Sequence, residues 1–555
     1  MLLNLEKEIA VPHKNEKECK QKTHTNFQHN LDLPISRLPV HIMADIFGHC
    51  IPFRHSDPKA TSVGWLAFSH VCRLWRSIAL NDGKLWTYIH VNNHHLAETM
   101  LERSKAAPLD VRMPWTWNPD RLDTKRLLEK LRHQLFRIQH LQLFAYNNNT
   151  EFFHALVQPA PSLHSLEVVG NVTNVLLLPD DFLARNAPLL TSLRLRHTYL
   201  PWNSPLLTRL TALDLSGDGV TNIPTARQLL QVLRVLTRLE FLRLAYILPN
   251  FIERTEEVRF SVLRELTIAG NIGGCEGLLN NISFPETTVL DIRCDIEPED
   301  VDPFLSFISH FPRIFLANHS STEIDPQAER PRIMKTLLID LKDSTLVSLK
   351  AWNIDLIPVD ALESHRRFTY SGRIPMVAPS IHLSFEWSPQ QPFPDIELDM
   401  EWIFSSLHMG HVQMLHITGD ANVNGSPDFL VRCLASLPFN STGTKTIVVH
   451  GGGFSDQFTQ VFALLSSIDT SGSPPILAFP ALHTLALLCL DASCWSHPAY
   501  SDGQSTFLDL LLEMLKFRSQ NGQKVEVLMA RGYNSLGQED AALLNELVGE
   551  LRNIR

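Results

Sequence analysis

No two cysteines of this chain stand in a C-x-x-C pair. The eight lie scattered at Cys19, Cys50, Cys72, Cys275, Cys294, Cys433, Cys489 and Cys494. Zinc-ribbon spacing is therefore absent. So few cysteines in 555 residues give no basis for a disulfide framework, and we read them as reduced, mostly buried thiols of an intracellular protein. Charge is also sparse, at 19% of residues, below the usual share for soluble domains. The net charge is −10, from 49 basic and 59 acidic residues, and no Lys/Arg run is long enough to form a patch. A general nucleic-acid binder needs a basic surface for phosphate contacts, so none is expected. No stretch reaches the roughly 18–20 apolar residues of a membrane span. The longest runs, such as Leu482–Leu490, fit buried strands. The N-terminus, MLLNLEKEIAVPHKNEKECK, lacks the continuous apolar segment of a signal peptide. Without secretion, the N-x-S/T triplets at Asn171 and Asn440 are chance matches.

Catalytic and metal signatures are equally thin. There are 25 histidines but no H-E-x-x-H, and the neighbours His94 and His95 do not share a helical face. No metal or cofactor is expected. Asp180-Asp181 follow Pro179 and read as a helix N-terminus, where negative charge complements the dipole, rather than as an acid/base pair. One phrase invites an esterase reading: HGGG, His450–Gly453, after the strand-like TIVV and before a helical stretch over Ser455–Ile468. Glycines in such a phrase let backbone N–H groups approach a substrate oxygen. That chemistry also needs a G-x-S-x-G nucleophile, and the nearest sequence, GQSTF at Gly503–Phe507, lacks the last glycine.

What the chain has in quantity is apolar residues, 44% of the total, enough for a large core and more than one compact domain usually needs. Residues 1–33 are polar and read as a flexible tail. Leu38, Ile42 and Ile46 then recur at helical spacing, with Met43 and Phe47 as a second row, and Pro39 can sit in the first turn of that helix. Ile51–Gly64 carries Pro52, Pro58 and Gly64 and reads as a loop. Trp65–Leu80 is helical in period, with Phe68, Val71, Cys72, Trp75 and Ile78 on one side and Arg73 and Arg76 off that stripe. Trp86–Val91 and Leu109–Met113 read as strands, with a helical stretch at Asp120–Arg137.

From there a phrase L-x-x-L-x-L returns: IQHLQL at 138–143, LHSLEV at 163–168, LTSLRL at 190–195 and LTALDL at 210–215. LEFLRL at 239–244, LRELTI at 263–268, TTVLDI at 287–292 and FPRIFL at 311–316 continue it. Later copies are VQMLHI at 412–417, TKTIVV at 444–449, LHTLAL at 482–487 and VEVLMA at 525–530. The middle positions 141, 166, 193, 213, 242, 266, 290 and 314 step by 20 to 29 residues, the interval of leucine-rich repeats. Over 333–400 the register is weaker, with MKTLLI and LVSLKA as candidates. Pro224–Leu236, Pro427–Leu437 and Phe507–Arg518 have helical period between the phrases, and Gln538–Arg555 reads as a terminal capping helix. Each unit cannot bury its apolar face alone, so the units must stack.

The N-terminal segment carries a resemblance. LPVHIMADIF at Leu38–Phe47, SHVCRLWRSIAL at Ser69–Leu80 and LW at 85–86 together resemble the F-box family as it occurs in basidiomycete fungi. ERSKAAPLDVRM, Glu102–Met113, is similar to the link that follows in that group. One departure is His41, where an acidic residue is often found. The resemblance implies a three-helix domain that binds a Skp-family adaptor and, through it, a cullin. It implies that Leu38, Pro39, Ile42, Ile46 and Phe47 face the adaptor, with Val71, Cys72 and Trp75 in the second helical part of the same surface or its core. An apolar face larger than about fifty residues can cover agrees with a docking partner, although capping of the repeat array is the plainer use.

The expected fold class is α/β: a small helical F-box followed by an irregular leucine-rich-repeat-like solenoid with a parallel sheet. The expected segments are the tail at 1–33, the F-box at 34–90, a linker with the first strand–helix units at 91–136, and the solenoid at 137–555. The expected function is a non-catalytic subunit of a ubiquitin ligase that recruits a protein substrate. Gln142, Glu167, Arg194, Asp214, Arg243 and Thr267 alternate with the buried leucines and would line the substrate face. A structural scaffold without a ligase role, and a hydrolase built on His450–Gly453, are the alternatives.

Overall fold

The computed structural model describes residues 29–30, 33–51, 63–90, 93–113, 122–145, 150–173, 175–218, 221–251, 257–285, 287–297, 300, 302–308, 334–343, 346–353, 379–387, 411–419, 437, 442–451, 456–470, 475–488, 495, 505–530 and 536–553. The helical reading of Pro427–Leu437 and the phrase at 311–316 fall almost wholly or wholly outside them. The chain divides into two compact units, Met1–Leu210 and Thr211–Arg555. The boundary falls inside the stretch 137–555 that the phrase alone treats as one array.

The first unit opens with α1 (Val40–Cys50). Pro39 is its N-cap rather than a first-turn residue, and Leu38 is extended, at φ −67° and ψ 139°. The cap offers no side-chain bond, so α1 owes its stability to packing of Met43 and Phe47, which are buried. The helix expected over Trp65–Leu80 is broken in two. A 3-10 segment, Val63–His70, is followed by α2 (Arg73–Asn81). The break is Cys72, extended at φ −154° and ψ 170°, whose Sγ accepts the Trp75 N–H at 3.5 Å and so caps α2. Trp86 is buried, its Nε1 donates to the Ala79 carbonyl at 2.7 Å, and the Arg103 guanidinium lies 4.4 Å over its ring.

Strands β1 (Tyr88–His90), β2 (Leu109–Arg112), β3 (Ile138–Phe144), β4 (Ser165–Val169) and β5 (Ser192–Arg196) follow, each parallel to the one before. Between them lie α3 (His94–Arg103) and α4 (Leu122–Arg132), the latter ending short of a 3-10 turn at Leu135–Arg137. The buried Arg137 ties this turn to α3, donating to Ser104 Oγ at 3.1 Å and the Ala107 carbonyl at 2.7 Å. Leu141, Leu166 and Leu193 face one another in register. Asp180-Asp181 do not open an α-helix. They precede a 3-10 turn, Phe182–Arg185, in which Leu183, Ala184 and Arg185 all have positive φ, so no helical row of N–H groups awaits their charge.

The second unit starts with β6 (Ala212–Ser216), β7 (Phe241–Ala245), β8 (Glu265–Asn271) and β9 (Val289–Ile296), again parallel and in chain order. Leu213, Leu242, Leu266 and Leu290 form one ladder, all buried. Helices α5 (Ala226–Val235) and α6 (Ile272–Leu279) occupy two intervals. A Thr225–Gln228 capping box starts α5, and Asn271 caps α6 by accepting the Gly274 N–H at 2.7 Å.

After Leu290 the order inverts. The place beside β9 belongs to β12 (Ile381–Trp387), where Ile381 meets Leu290. β10 (Thr336–Asp343) and β11 (Leu346–Trp352) form an antiparallel hairpin, and β11 runs antiparallel to β12. The sheet then resumes parallel from β10 through β13 (Met414–Gly419), β14 (Thr446–Gly451), β15 (Thr484–Leu488) and β16 (Val527–Ala530). Both faces of β15 and β16 are buried, and their sequences TLALL and VLMA are apolar nearly throughout, as strands covered on both sides read. The fold is thus a mixed α/β one, with a small N-terminal helical region and a large, mostly parallel sheet.

The terminal helix is shorter than its sequence suggests. After α7 (Asp456–Leu465) and α8 (Phe507–Gln520), helix α9 covers Gln538–Leu547, Val548 is extended, and Glu550–Asn553 forms β17 beside β16. The edge of β16 supplies the backbone partners that a continued helix would have left unpaired. At the centre of this region Arg518 is fully buried. Its guanidinium donates to the carbonyls of Leu465, Ala478 and Phe479 at 2.9–3.1 Å. Burial pulls its pKa down to about 10. Arg518→Ala strands three carbonyls and leaves a cavity, so it should cost about 3–5 kcal/mol in a urea titration.

Candidate functional site

Two surfaces have the composition of docking faces. The first is built on α1. Phe47 stacks on Phe68 with centroids 4.3 Å apart and planes within 5°, and it meets Trp75 at 5.2 Å. Only 1% of Phe47 is exposed, so it is core and offers nothing to a partner, a correction to its expected place on the surface. Trp75 is half-buried against that ring, and Cys72 is half-buried and engaged as a cap. The residues one position before the buried row take the opposite role. Leu38, Ile42 and Ile46 are 38–39% exposed, and Pro39 is exposed. Val71, just before the Cys72 cap of α2, is 59% exposed.

Three further apolar side chains stand exposed beside them in sequence: Leu33, Ile35 and Val40. The sequence reading missed them because residues up to 33 read as tail, Ile35 precedes the helical row and Val40 falls between its members Leu38 and Ile42. Their signal was there, in apolar residues placed among Pro34, Ser36 and Pro39 where no helix buries them. His41, the departure from the family pattern, is exposed on α1.

The second surface is the polar face of the strands. In the first unit Gln142 Nε2 donates to Glu167 Oε2 at 3.0 Å, and Arg194 approaches the other oxygen at 3.6 Å. In the second unit Asp214, Arg243 and Thr267 occupy one row across β6–β8, with Arg243 Nε 3.7 Å from Asp214. The row continues through Asp291 on β9 and His382 on β12. Of the six expected substrate-facing residues, three therefore lie in each unit.

Asp291 is the most heavily bonded member. Arg293 donates to both its oxygens at 3.1 and 2.9 Å, and His382 Nδ1 lies 2.9 Å away. His382 Nε2 in turn is 3.0 Å from Ser348 Oγ. Burial alone would raise the Asp291 pKa, but the bonds from His382 and Arg293 outweigh it and hold the carboxyl at about 2. The connectivity is that of a Ser–His–Asp triad. Ser348, however, sits within β11, which is paired on both sides, so its neighbouring amides are spent on the ladder instead of facing an oxyanion. The chain works as a clamp across the junction of parallel and antiparallel strands. No sequence spacing announced it, because its members lie 34 to 91 residues apart. Of the HGGG phrase, His450 and Gly451 end β14, and the rest lies outside the described residues. The following helix is α7. Among the described residues no group of three His, Cys, Asp or Glu could hold a metal ion, and no helix is long and apolar enough to cross a membrane.

Comparison with known families covers the segment that carries the first surface. The F-box-like family model matches residues 35–92, the span of α1, the 3-10 segment, α2 and β1. No curated protein matches the chain. An F-box-like domain thus carries the exposed Leu38–Ile46 face, and F-box proteins are in general non-catalytic substrate adaptors of ubiquitin ligase complexes.

Two stability outcomes follow from this geometry. Phe47→Ala should destabilise the first unit by about 3–5 kcal/mol, seen in chemical denaturation, whereas Ile42→Ala should cost less than about 1 kcal/mol at its exposed position. The folded Asp291 carboxyl lies below its ordinary value of 3.8. Its stabilisation is therefore present above about pH 4 and lost as pH falls through about 2. Asp291→Asn should remove on the order of 2 kcal/mol at neutral pH and flatten that acid limb of the urea midpoint.

Proposed function

We propose that this protein is a non-catalytic, substrate-recruiting subunit of a Skp–cullin–F-box ubiquitin ligase, acting inside the cell. The F-box-like domain docks a Skp-family adaptor through Leu38, Pro39, Ile42, Ile46 and Val71, and the adaptor joins the cullin. Behind it, the strands act as an irregular leucine-rich-repeat-like solenoid whose polar face takes a protein substrate. One observation carries the reading. Within a domain of this family, the helix buries Met43 and Phe47 and leaves Leu38, Ile42 and Ile46 at 38–39% exposure. Exposed aliphatic groups in a row are spent on a partner or wasted in water. The solenoid reading is supported by sequential parallel pairing with one leucine of each phrase in register.

Co-purification with a Skp-family adaptor tests it. Ile42→Asp plus Ile46→Asp places two charges in the face and should weaken adaptor binding by about 100-fold or more, with the urea midpoint unchanged. Full adaptor binding by that double variant would remove α1 from the interface.

A further inference from the structure

The polar strand face of the second unit is not evenly charged. Over β6–β9 and β12 the arginines Arg243 and Arg293 are already committed, to Asp214 and Asp291, and His382, with Lys350 of β11 in register beside it, also turns to Asp291. Of the acids on these strands Glu265, Asp295 and Glu386 are left, and among the described residues none of their carboxylates makes an ion pair or side-chain hydrogen bond. Asp295 and Glu386 face each other directly across β9 and β12. Two carboxylates in register repel, and burial together with Glu386 pushes the Asp295 pKa up. Aromatic rings stand beside both acidic positions. Phe241 is in register with Glu265 and is 39% exposed. Tyr246, 43% exposed, lies close enough to Asp295 and Glu386 that both raise its phenol pKa, after burial itself. Phe241 opens β7, and Tyr246 directly follows its last residue, Ala245, at positive φ, so the two rings mark opposite ends of the strand.

A carboxylate next to an exposed aromatic face is the environment that takes a Lys or Arg side chain, the acid pairing the charge and the ring accepting the cation on its π surface. We propose that this face binds an extended protein segment carrying two cationic side chains, one at Phe241–Glu265 and one at Tyr246–Asp295–Glu386. The inference rests on the strand face being the substrate surface of the ligase subunit and names the chemistry of what it recruits. The charge excess selects the ligand's sign, and the committed arginines exclude an acidic one.

The test uses the full chain and a fluorescent peptide with an arginine at each end of a serine spacer, alongside the same peptide with glutamates. Anisotropy should show binding of the arginine peptide only, weakening as salt is raised. Asp295→Asn plus Glu386→Gln should lower its affinity by about tenfold or more, and Tyr246→Ala by several-fold. Glu539→Gln plus Asp540→Asn, on α9, removes two acids from another surface and should leave binding unchanged. Equal binding of the two peptides, or equal loss in the α9 variant, would show attraction to net charge alone and overturn the proposal. So would undiminished binding by the Asp295/Glu386 variant. Adaptor co-purification in parallel separates the two readings. An adaptor held by a chain with no arginine preference sinks only this inference, whereas a chain that holds no adaptor sinks the ligase role while the titration still decides the face.

Discussion

Parallel pairing that puts the same leucine of successive phrases side by side is the constraint on which the rest of the molecule depends. In the second unit it runs from Leu213 through Leu242 and Leu266 to Leu290. Each of these side chains is buried, and a fully buried leucine contributes roughly 1.5–3 kcal/mol relative to exposure. Because side chains alternate along a strand, fixing the leucines on one face fixes every intervening residue on the other. Asp214, Arg243, Thr267 and Asp291 share a row for that reason alone. The polar face is a by-product of the apolar ladder, and its chemistry is free to vary as long as the ladder holds.

The F-box-like domain solves a different problem, that of a small helical module with more apolar surface than it can cover. It spends its largest rings inward, with Phe47 between Phe68 and Trp75 and Trp86 hydrogen-bonded to Ala79. What remains outside is aliphatic: Leu38, Ile42, Ile46 and Val71. Aromatic stacking fixes the orientation of α1, and that orientation decides which neighbour of each buried residue reaches solvent. Ile42 next to Met43, and Ile46 next to Phe47, show how little separates core from surface on one helix. A rotation of α1 by one residue would exchange their roles.

Much of this could be read from the residues, and the failures have physical causes. The leucine phrase gave most of the parallel strands because it rests on local periodicity, whereas Leu-Pro with V-C-x-x-W-R pointed to the N-terminal domain through its resemblance to a family pattern. The break at Cys72 was invisible because a thiol is a rare cap, and the apolar stripe over Phe68–Ile78 continues across it. The inversion of β10–β12 was visible only as a weakened register over 333–400, since hairpin strands and parallel strands alternate alike. The Asp291–His382–Ser348 clamp depends on which strands become neighbours, and chain order does not say that β9 lies beside β12. Phe47 was assigned to the surface because spacing places it on the same broad face as Ile46, and only the stacking on Phe68 separates them.

The two surfaces differ in what holds them open. On α1 the exposed groups are apolar, and their cost in water is relieved by any complementary face, so the docking mode can be shared by many chains. On the strands the balance is electrostatic, and it has been settled internally almost everywhere. Gln142, Glu167 and Arg194 satisfy one another, Asp214 holds Arg243, and Asp291 holds Arg293 and His382. Paired groups at a surface have little left to give a ligand. On the proposed reading, recognition falls to the groups the ladder leaves unpaired, among which, in the described residues, are the facing carboxylates Asp295 and Glu386. If the proposed role holds, an aliphatic face for a general adaptor and a face of residual charge for a particular ligand divide the work of joining a common machine to a specific target.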